Sequence, residues 1–188
     1  DVLGADILSF HVPLVAGGPY PTWHMVNEGF LKRLSPGQFL INSSRGAVFD
    51  STAVKSALRE RRIEGTVIDV WEEEPWIDYA LLELADIGTP HIAGNALDGK
   101  IRATEITREA LYRYLKIEPA PPMNPVYPKD RVLFPAPHTD SQESVLSVLL
   151  QAFDIRREDA DLRALGAAAP EKAAEGFELM TRIADRIA

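Results

Sequence analysis

Short apolar runs alternate with amphipathic stretches from residue 6 to residue 92. The apolar runs have the length and the β-branched or aromatic content of strands, and they lie at 6–11, 38–42, 66–71 and 86–91. The stretches between them have apolar residues at helical spacing, and they lie at 28–34, 51–61 and 79–84. Strands that alternate with helices along a chain are typical of a parallel sheet with crossover helices. The pattern therefore predicts an α/β fold.

Two of these helices are preceded by side chains that can cap them. Asn27 stands before the helix at 28–34, and either Asp50 or Ser51 can start the helix that follows. Such side chains accept hydrogen bonds from the first backbone N–H groups of a helix, which have no partner within the helix itself. They therefore predict where these two helices begin.

The longest predicted helix runs from Asp98 to Lys116, and a change of composition follows it. Seven of the fourteen prolines lie between Pro119 and Pro137. Because proline lacks a backbone N–H donor, this density excludes a regular helix and favours an extended linker. We therefore expect a first domain at 1–117, a linker at 118–137 and a second domain at 138–188.

The last part of the chain contains two predicted amphipathic helices, Ser141–Phe153 and Glu171–Ile187. The apolar side of the first one consists of Val145, Leu146, Leu149 and Leu150. Such a face fits the core of a small domain as well as it fits a dimer interface. The sequence leaves both open.

Composition adds mainly exclusions. The 188 residues are 46 % hydrophobic, which is enough for one or two cores, and no apolar run reaches membrane-spanning length. The net charge is −8 with basic and acidic residues interspersed, so neither a polyanion-binding face nor a nucleic-acid partner is predicted. Cysteine is absent, which excludes disulfides and thiolate zinc sites. We expect a cytoplasmic protein without membrane or metal, in which any redox chemistry uses a cofactor.

Four residues that can take part in chemistry lie at or just after the predicted strand ends, namely Arg45, Asp69, Glu74 and His91. In an open α/β sheet, ligands bind outside the carboxyl ends of the strands. Taken singly, each residue is explained as well by a structural or surface role. Together they predict a site at this edge of the sheet.

These residue types suit the oxidation of an alcohol next to a carboxylate. Arg45 offers a planar fork of donors that can bind a carboxylate through two hydrogen bonds. His91 titrates near neutral pH, so it can take the hydroxyl proton as hydride leaves the carbon. Glu74 beside the imidazole would raise its pKa and fix which ring nitrogen faces the substrate.

Three ordered segments carry a family resemblance, and they are 42–50 (NSSRGAVFD), 69–75 (DVWEEEP) and 89–94 (TPHIAG). In sequence and spacing they resemble the motifs of the D-2-hydroxyacid dehydrogenases. The resemblance implies the second half of a doubly wound, Rossmann-type parallel sheet with NAD as cofactor. It also implies that Arg45 binds the substrate carboxylate, that Glu74 assists the histidine and that His91 exchanges the proton.

The same resemblance implies a cofactor site and a substrate class. The residues implied to line the NAD site are Val12, Ser43, Ser44, Arg45, Asp69 and Gly94, with Asp69 near the nicotinamide. The tail at 153–163 (FDIRREDADLR) is similar to that of family members that act on a phosphorylated 2-hydroxy acid. Those members carry a small α/β or α-rich C-terminal dimerisation domain, so a homodimer is expected. They usually have a substrate-contacting tyrosine where this chain has Asn95, so Asn95 is implied to face the substrate.

The resemblance also exposes a missing feature. A dinucleotide-binding fold needs a Gly-x-Gly-x-x-Gly turn for the pyrophosphate, and this spacing is absent from the sequence. We therefore expect the chain to be part of a longer protein, to which the activity belongs. Two alternatives stay open: the substrate could be glycerate, glyoxylate, hydroxypyruvate or phosphoglycerate, or the chain could be a non-catalytic association module.

Overall fold

A computed structural model of the chain describes residues 2–94, 97–121 and 142–187. In these residues four parallel strands form one sheet in the order β1-β2-β3-β4. The strands are β1 (Ile7–Phe10), β2 (Phe39–Asn42), β3 (Gly65–Ile68) and β4 (Ile87–Gly88). The predicted α/β architecture with a parallel sheet is confirmed.

The register of the sheet brings the strand ends together. Phe10 pairs with Asn42, and Asn42 pairs with Ile68 on the next strand. Ile68 in turn pairs with Gly88 at the end of β4. Because all the strands run in the same direction, the segments that follow them start from the same edge of the sheet.

Three helices connect the strands, and they are α1 (Glu28–Leu31), α2 (Ser51–Arg59) and α3 (Tyr79–Leu82). The predicted caps are confirmed, since Asn27 accepts a hydrogen bond from Phe30 N and Asp50, rather than Ser51, caps α2. Helix α1 is shorter than predicted. The N–H groups of Arg33 and Leu34 bond to carbonyls three residues earlier instead of four, which tightens the chain into a turn.

The remaining helices are α4 (Leu97–Leu115), α5 (Gln142–Ala152), α6 (Ile155–Leu165) and α7 (Pro170–Ile187). Helices α4, α5 and α7 begin and end within one residue of the prediction. Helix α6 is not predicted from apolar spacing, because Leu162 is its one fully buried side chain.

The chain divides into two compact units. The first consists of Asp1–Ala93 with Arg156–Arg182, and the second consists of Gly94–Ile155 with Ile183–Ala188. The sheet core includes Leu162 of α6 and Phe177 of α7. This grouping differs from the expected boundaries at 117 and 138. Proline density predicts an extended segment, but it does not determine which core the later helices join. Residues 122–141, most of the expected linker, lie outside the described residues, so the linker stays a prediction.

In the second unit, the side chain of Glu105 is buried and pairs with Arg108 at 2.5 Å. The predicted apolar face of α5 is largely exposed, with exposed fractions of 57 % at Val145, 54 % at Leu146 and 58 % at Leu149. These three residues therefore do not belong to a core among the residues that the structure describes. Within the described ranges, no helix is long and apolar enough to cross a membrane.

Candidate active site

The turn that carries Arg45 is organised by Asn42, the last residue of β2. Asn42 is buried, and its side-chain oxygen accepts hydrogen bonds from Ser44 N at 3.2 Å and Ser44 Oγ at 2.9 Å. Its side-chain amide donates to Arg45 O at 3.1 Å. The side chain of Ser44 therefore serves the turn. Sequence reasoning included Asn42 in a motif without a role, although a buried amide at a strand end is a signal for one.

Arg45 emerges from this turn with an exposed side chain and an extended backbone. Its Nη1 donates to Ser44 O at 2.6 Å. The next residue, Gly46, lies against the loop after β3, so closely that an added Cβ would be 1.9 Å from Trp71 O. Glycine at this position thus allows the loop of Arg45 to touch the loop that carries Glu74.

Glu74 is held at both carboxylate oxygens. Oε1 accepts a hydrogen bond from Trp71 N at 2.7 Å, which closes the loop after β3 on itself. Oε2 lies 2.7 Å from His91 Nδ1. The acid and the imidazole therefore form a direct pair, as the sequence predicted, and each is about one quarter to one third exposed.

His91 follows β4 in a left-handed backbone conformation, with φ of +55°. Its N–H donates to Asp69 O at 2.8 Å. The pKa of His91 is raised, mainly by the hydrogen bond to Glu74. Burial lowers this pKa, the negative charges of Glu74 and Asp69 raise it, and the positive charge of Arg45 lowers it. The guanidinium of Arg45 is thus close enough to the His91 ring to interact with it electrostatically. A carboxylate-backed imidazole beside a guanidinium can move a proton next to a bound carboxylate.

Asp69 is buried and fixes the segment that contains His91. Its Oδ1 accepts hydrogen bonds from Thr89 Oγ1 at 2.5 Å and Ile92 N at 2.8 Å, and its Oδ2 accepts from Ala93 N at 2.9 Å. The sequence assigned Asp69 to the cofactor and did not predict this structural task. Its contact with the nicotinamide stays a prediction.

The other residues implied for the site lie as follows. Val12, two residues after β1, is half-buried against the hydrophobic core. Ser43 is half-buried in the turn after β2. Gly94 begins the second compact unit, with φ of +79°. Asn95 lies outside the described residues, so its implied substrate contact has no structural counterpart here.

A second carboxylate of the same loop was missed by sequence reasoning. Glu72 pairs through Oε1 with His24 Nε2, and its Oε2 accepts a hydrogen bond from Ser51 N at 3.2 Å. It thereby ties the Glu74 loop to the start of α2. No motif signalled this contact, because His24 is 48 residues away in sequence.

Comparisons with known proteins bear on this geometry. Residues 2–93 match the NAD-binding domain of the D-isomer specific 2-hydroxyacid dehydrogenases. The apo structure of D-mandelate dehydrogenase from Rhodotorula graminis is 26 % identical, with a TM-score of 0.50 over 65 % of this chain and 35 % of that one. The predicted Rossmann-type sheet and NAD as cofactor agree with the family match.

Curated relatives extend the similarity into the tail. Erythronate-4-phosphate dehydrogenase of Salinibacter ruber is 42 % identical, over 94 % of this chain and 46 % of its own length. The enzyme of the same name from Escherichia coli O139:H28 is 41 % identical, over 85 % of this chain and 42 % of its own length. The chain thus spans less than half the length of these relatives.

Proposed function

Since residues 2–93 match the NAD-binding domain of the D-isomer specific 2-hydroxyacid dehydrogenases, we propose that the whole protein oxidises a 2-hydroxy acid to the 2-oxo acid. The observation that carries this proposal is the Glu74–His91 pair, joined at 2.7 Å at the carboxyl edge of the sheet. In the reaction, the C2–H bond and the hydroxyl O–H bond break, and the C2=O bond forms. NAD, when bound, supplies the acceptor for the hydride, so the products are the oxo acid, NADH and one proton.

His91 is the base in this scheme. With Nδ1 donating to Glu74, the neutral ring presents Nε2 as the proton-accepting nitrogen. Nε2 takes the hydroxyl proton, and the resulting imidazolium is stabilised by the carboxylate of Glu74. In the reverse direction the same nitrogen returns the proton to the carbonyl oxygen.

Arg45 is the residue proposed to bind the substrate carboxylate. Its exposed guanidinium projects from the turn held by Asn42, and a planar fork of donors matches a carboxylate through two hydrogen bonds. This contact would set the orientation of C2 relative to His91. Lysine, a single-point donor, would lose that orientation.

The residues proposed to hold NAD fit a dinucleotide. They are Val12, Ser43, Ser44, Arg45, Asp69 and Gly94. A carboxylate has about four acceptor positions and Asp69 uses three of them within the protein, so it can accept one further hydrogen bond. Gly94 leaves open space where a side chain would be. Carboxyl ends of parallel strands are where nucleotides bind in such sheets.

For the substrate, we infer 4-phospho-D-erythronate, oxidised to 2-oxo-3-hydroxy-4-phosphobutanoate on the route to pyridoxal 5′-phosphate. The names of the curated relatives and the similarity of the tail support this inference. The phosphate needs cations, and the candidates are Lys100, Arg102, Arg156 and Arg157, all of them on exposed positions of helices. Asn95 is a proposed substrate contact.

Steady-state kinetics on the whole protein test the substrate. NAD reduction should be much faster with 4-phosphoerythronate than with glycerate or phosphoglycerate, and the reverse reaction with glyoxylate or hydroxypyruvate should be slow. Turnover of one of these alternatives with none of 4-phosphoerythronate would reject the substrate but keep the reaction type. No turnover of any 2-hydroxy acid would reject the enzyme itself and favour an association module.

Two variants test the roles. His91→Asn should lower kcat by orders of magnitude, because the base is lost. Arg45→Lys should raise KM strongly, and Arg33→Lys, which changes an exposed arginine of the same chain, is the matched control. Unchanged kinetics in His91→Asn would remove the assigned base.

We also propose a homodimer formed through residues 138–188. Three large apolar side chains of α5 that are more than half exposed support it, since single chains seldom expose such a row. Light scattering on the whole protein should give twice the chain mass, and Leu146→Glu with Leu149→Glu should give the monomer. A monomeric wild type would contradict the proposal.

A further inference from the structure

Helix α6 is hydrogen-bonded to β4, the edge strand of the sheet that precedes His91. Asp159 Oδ1 accepts a hydrogen bond from Gly88 N at 2.7 Å. Gly88 ends β4, the last strand in the sheet order, so this backbone donor is bonded to a helix instead of to another strand. Asp159 Oδ2 in turn accepts from Arg163 Nε at 2.9 Å.

Arg163 extends this attachment to the chain just before β4. Its Nη1 donates to Leu82 O at 2.6 Å, and its Nη2 donates to Ala85 O at 2.8 Å. These carbonyls belong to the last turn of α3 and the residues after it, where a helix runs out of backbone donors; Leu82 O also accepts from Ala85 N, at 3.2 Å. One guanidinium thus links α6, the end of α3 and, through Asp159, the strand that leads to His91.

Helix α7 reaches the residue directly before His91. Thr181 Oγ1 donates to Pro90 O at 2.8 Å. Phe177, one turn earlier, is buried in the sheet core. Glu74, the partner of His91, lines the same cavity as Phe177, Glu178 and Thr181. The tail helix therefore packs behind both members of the acid–imidazole pair.

We propose that α6 and α7 position the imidazole of His91 for proton transfer, with Asp159 and Thr181 as the positioning residues. The proposal rests on the role given above to His91. Neither side chain is given any contact with the substrate. Asp159 binds the backbone N–H of Gly88, and Thr181 binds the backbone carbonyl of Pro90. Because His91 comes directly after Pro90, the position of this backbone sets the position of the His91 ring.

The local structure explains why such support is needed. Strand β4 has two residues and pairs with β3 on one side. His91 lies three residues after the end of β4 in a left-handed conformation, with φ of +55°, which is unfavourable for a residue with a Cβ and has to be maintained by its surroundings. A catalytic side chain must be held to within about 0.5 Å of its productive place, and the hydrogen bonds of a supporting shell provide that restraint.

The hydroxyl of Thr181 has a second acceptor within its own helix, and the experiment must separate the two bonds. Its hydroxyl also lies 3.0 Å from Phe177 O, the usual bond of a threonine within a helix. Thr107 makes the same type of bond to Ala103 O at 2.9 Å in α4. Thr181→Val removes the hydroxyl and keeps the shape, Thr181→Ser keeps the hydroxyl, and Thr107→Val measures the cost of losing the bond within a helix.

Two measurements on the whole protein separate positioning from folding. In Thr181→Val we expect kcat to fall about tenfold with KM nearly unchanged, because a displacement well under 1 Å already misaligns a base. Thr181→Ser and Thr107→Val should keep the wild-type kcat. Asp159→Ala should lower kcat in the same way, and Asp159→Asn, which keeps an acceptor for Gly88 N, should restore most of it.

The second measurement is the NMR titration of the His91 ring. The groups that face it are Glu74, Asp69 and Arg45, with Glu178 in the adjoining cavity. If the ring moves off Glu74 in Thr181→Val, the pKa of His91 falls toward its ordinary value, and Thr181→Ser restores it.

Wild-type kcat and wild-type titration in Thr181→Val would overturn the positioning role. The proposed function fails differently, through absent wild-type turnover or an active His91→Asn protein. The titration remains readable in either case.

Discussion

The carboxylate of Glu74 bridges the backbone N–H of Trp71 and the Nδ1 of His91, with 2.7 Å at each end. One oxygen closes the acid's own loop, and the other holds the imidazole. The bond to Trp71 N fixes the position of the Glu74 carboxylate independently of His91. The carboxylate is therefore already in place to accept the bond from the imidazole.

Glu74→Gln should shift the pH dependence of the reaction. The carboxylate is the largest cause that raises the pKa of His91, so its loss lowers that pKa. Oxidation requires the neutral ring, so the acidic limb of kcat/KM should move to lower pH while the maximum rate falls. Glu73→Gln, at the exposed neighbouring residue, should leave the profile in place. If the acidic limb of kcat/KM does not move in Glu74→Gln, a group other than His91 is responsible for that limb.

The same pair should make stability depend on pH. A raised pKa in the folded protein means that the folded state binds the proton of His91 more tightly than the unfolded state does. The stabilisation is complete below the ordinary pKa of about 6.5 and disappears as the pH rises through the folded value. Urea unfolding should show the wild type losing more stability than His91→Gln as the pH rises from the ordinary histidine pKa of about 6.5 through the raised pKa of folded His91. Equal slopes of stability against pH in the wild type and in His91→Gln would contradict the linkage.

Asp69→Asn should destabilise the chain. At least one of the three donors that Asp69 accepts would face an NH2 group, and a buried donor without an acceptor costs about 1–3 kcal/mol. Denaturant unfolding measures the loss, with Asp6→Asn at an exposed position as the control. Equal midpoints for the two variants would show that the carboxylate is not needed by the 89–93 segment.

Much of the site could be predicted because strand ends are readable from sequence. Apolar runs and the residues that end them placed Arg45, Asp69, Glu74 and His91 after consecutive strands, and parallel pairing brought those ends to one edge. The support from the tail was not readable. Asp159 is 71 residues from Gly88, and Thr181 is 91 residues from Pro90. No periodicity encodes which polar side chain of a helix meets which backbone atom at that separation.

Gly46→Ala should damage both stability and activity. The added methyl carbon would lie 1.9 Å from Trp71 O and 2.0 Å from Trp71 C, which are backbone atoms that cannot rotate away. The two loops must separate, at a cost of about 1–3 kcal/mol or more, and Arg45 moves away from Glu74 and His91. Thermal unfolding and kcat/KM report the two effects. Gly17→Ala, where nothing lies within 4 Å of the new carbon, should be silent, and an equally silent Gly46→Ala would refute the contact.

The hydrogen bond from Gly88 N to Asp159 also has a meaning for solubility. The last strand of a sheet exposes backbone donors and acceptors to which a strand of another molecule can add, and such edges start aggregation. Here a carboxylate occupies a donor of that edge, and it brings a negative charge that an incoming strand would have to displace. Helix α6, which carries Asp159, thus also covers a backbone donor at the edge to which another strand could add.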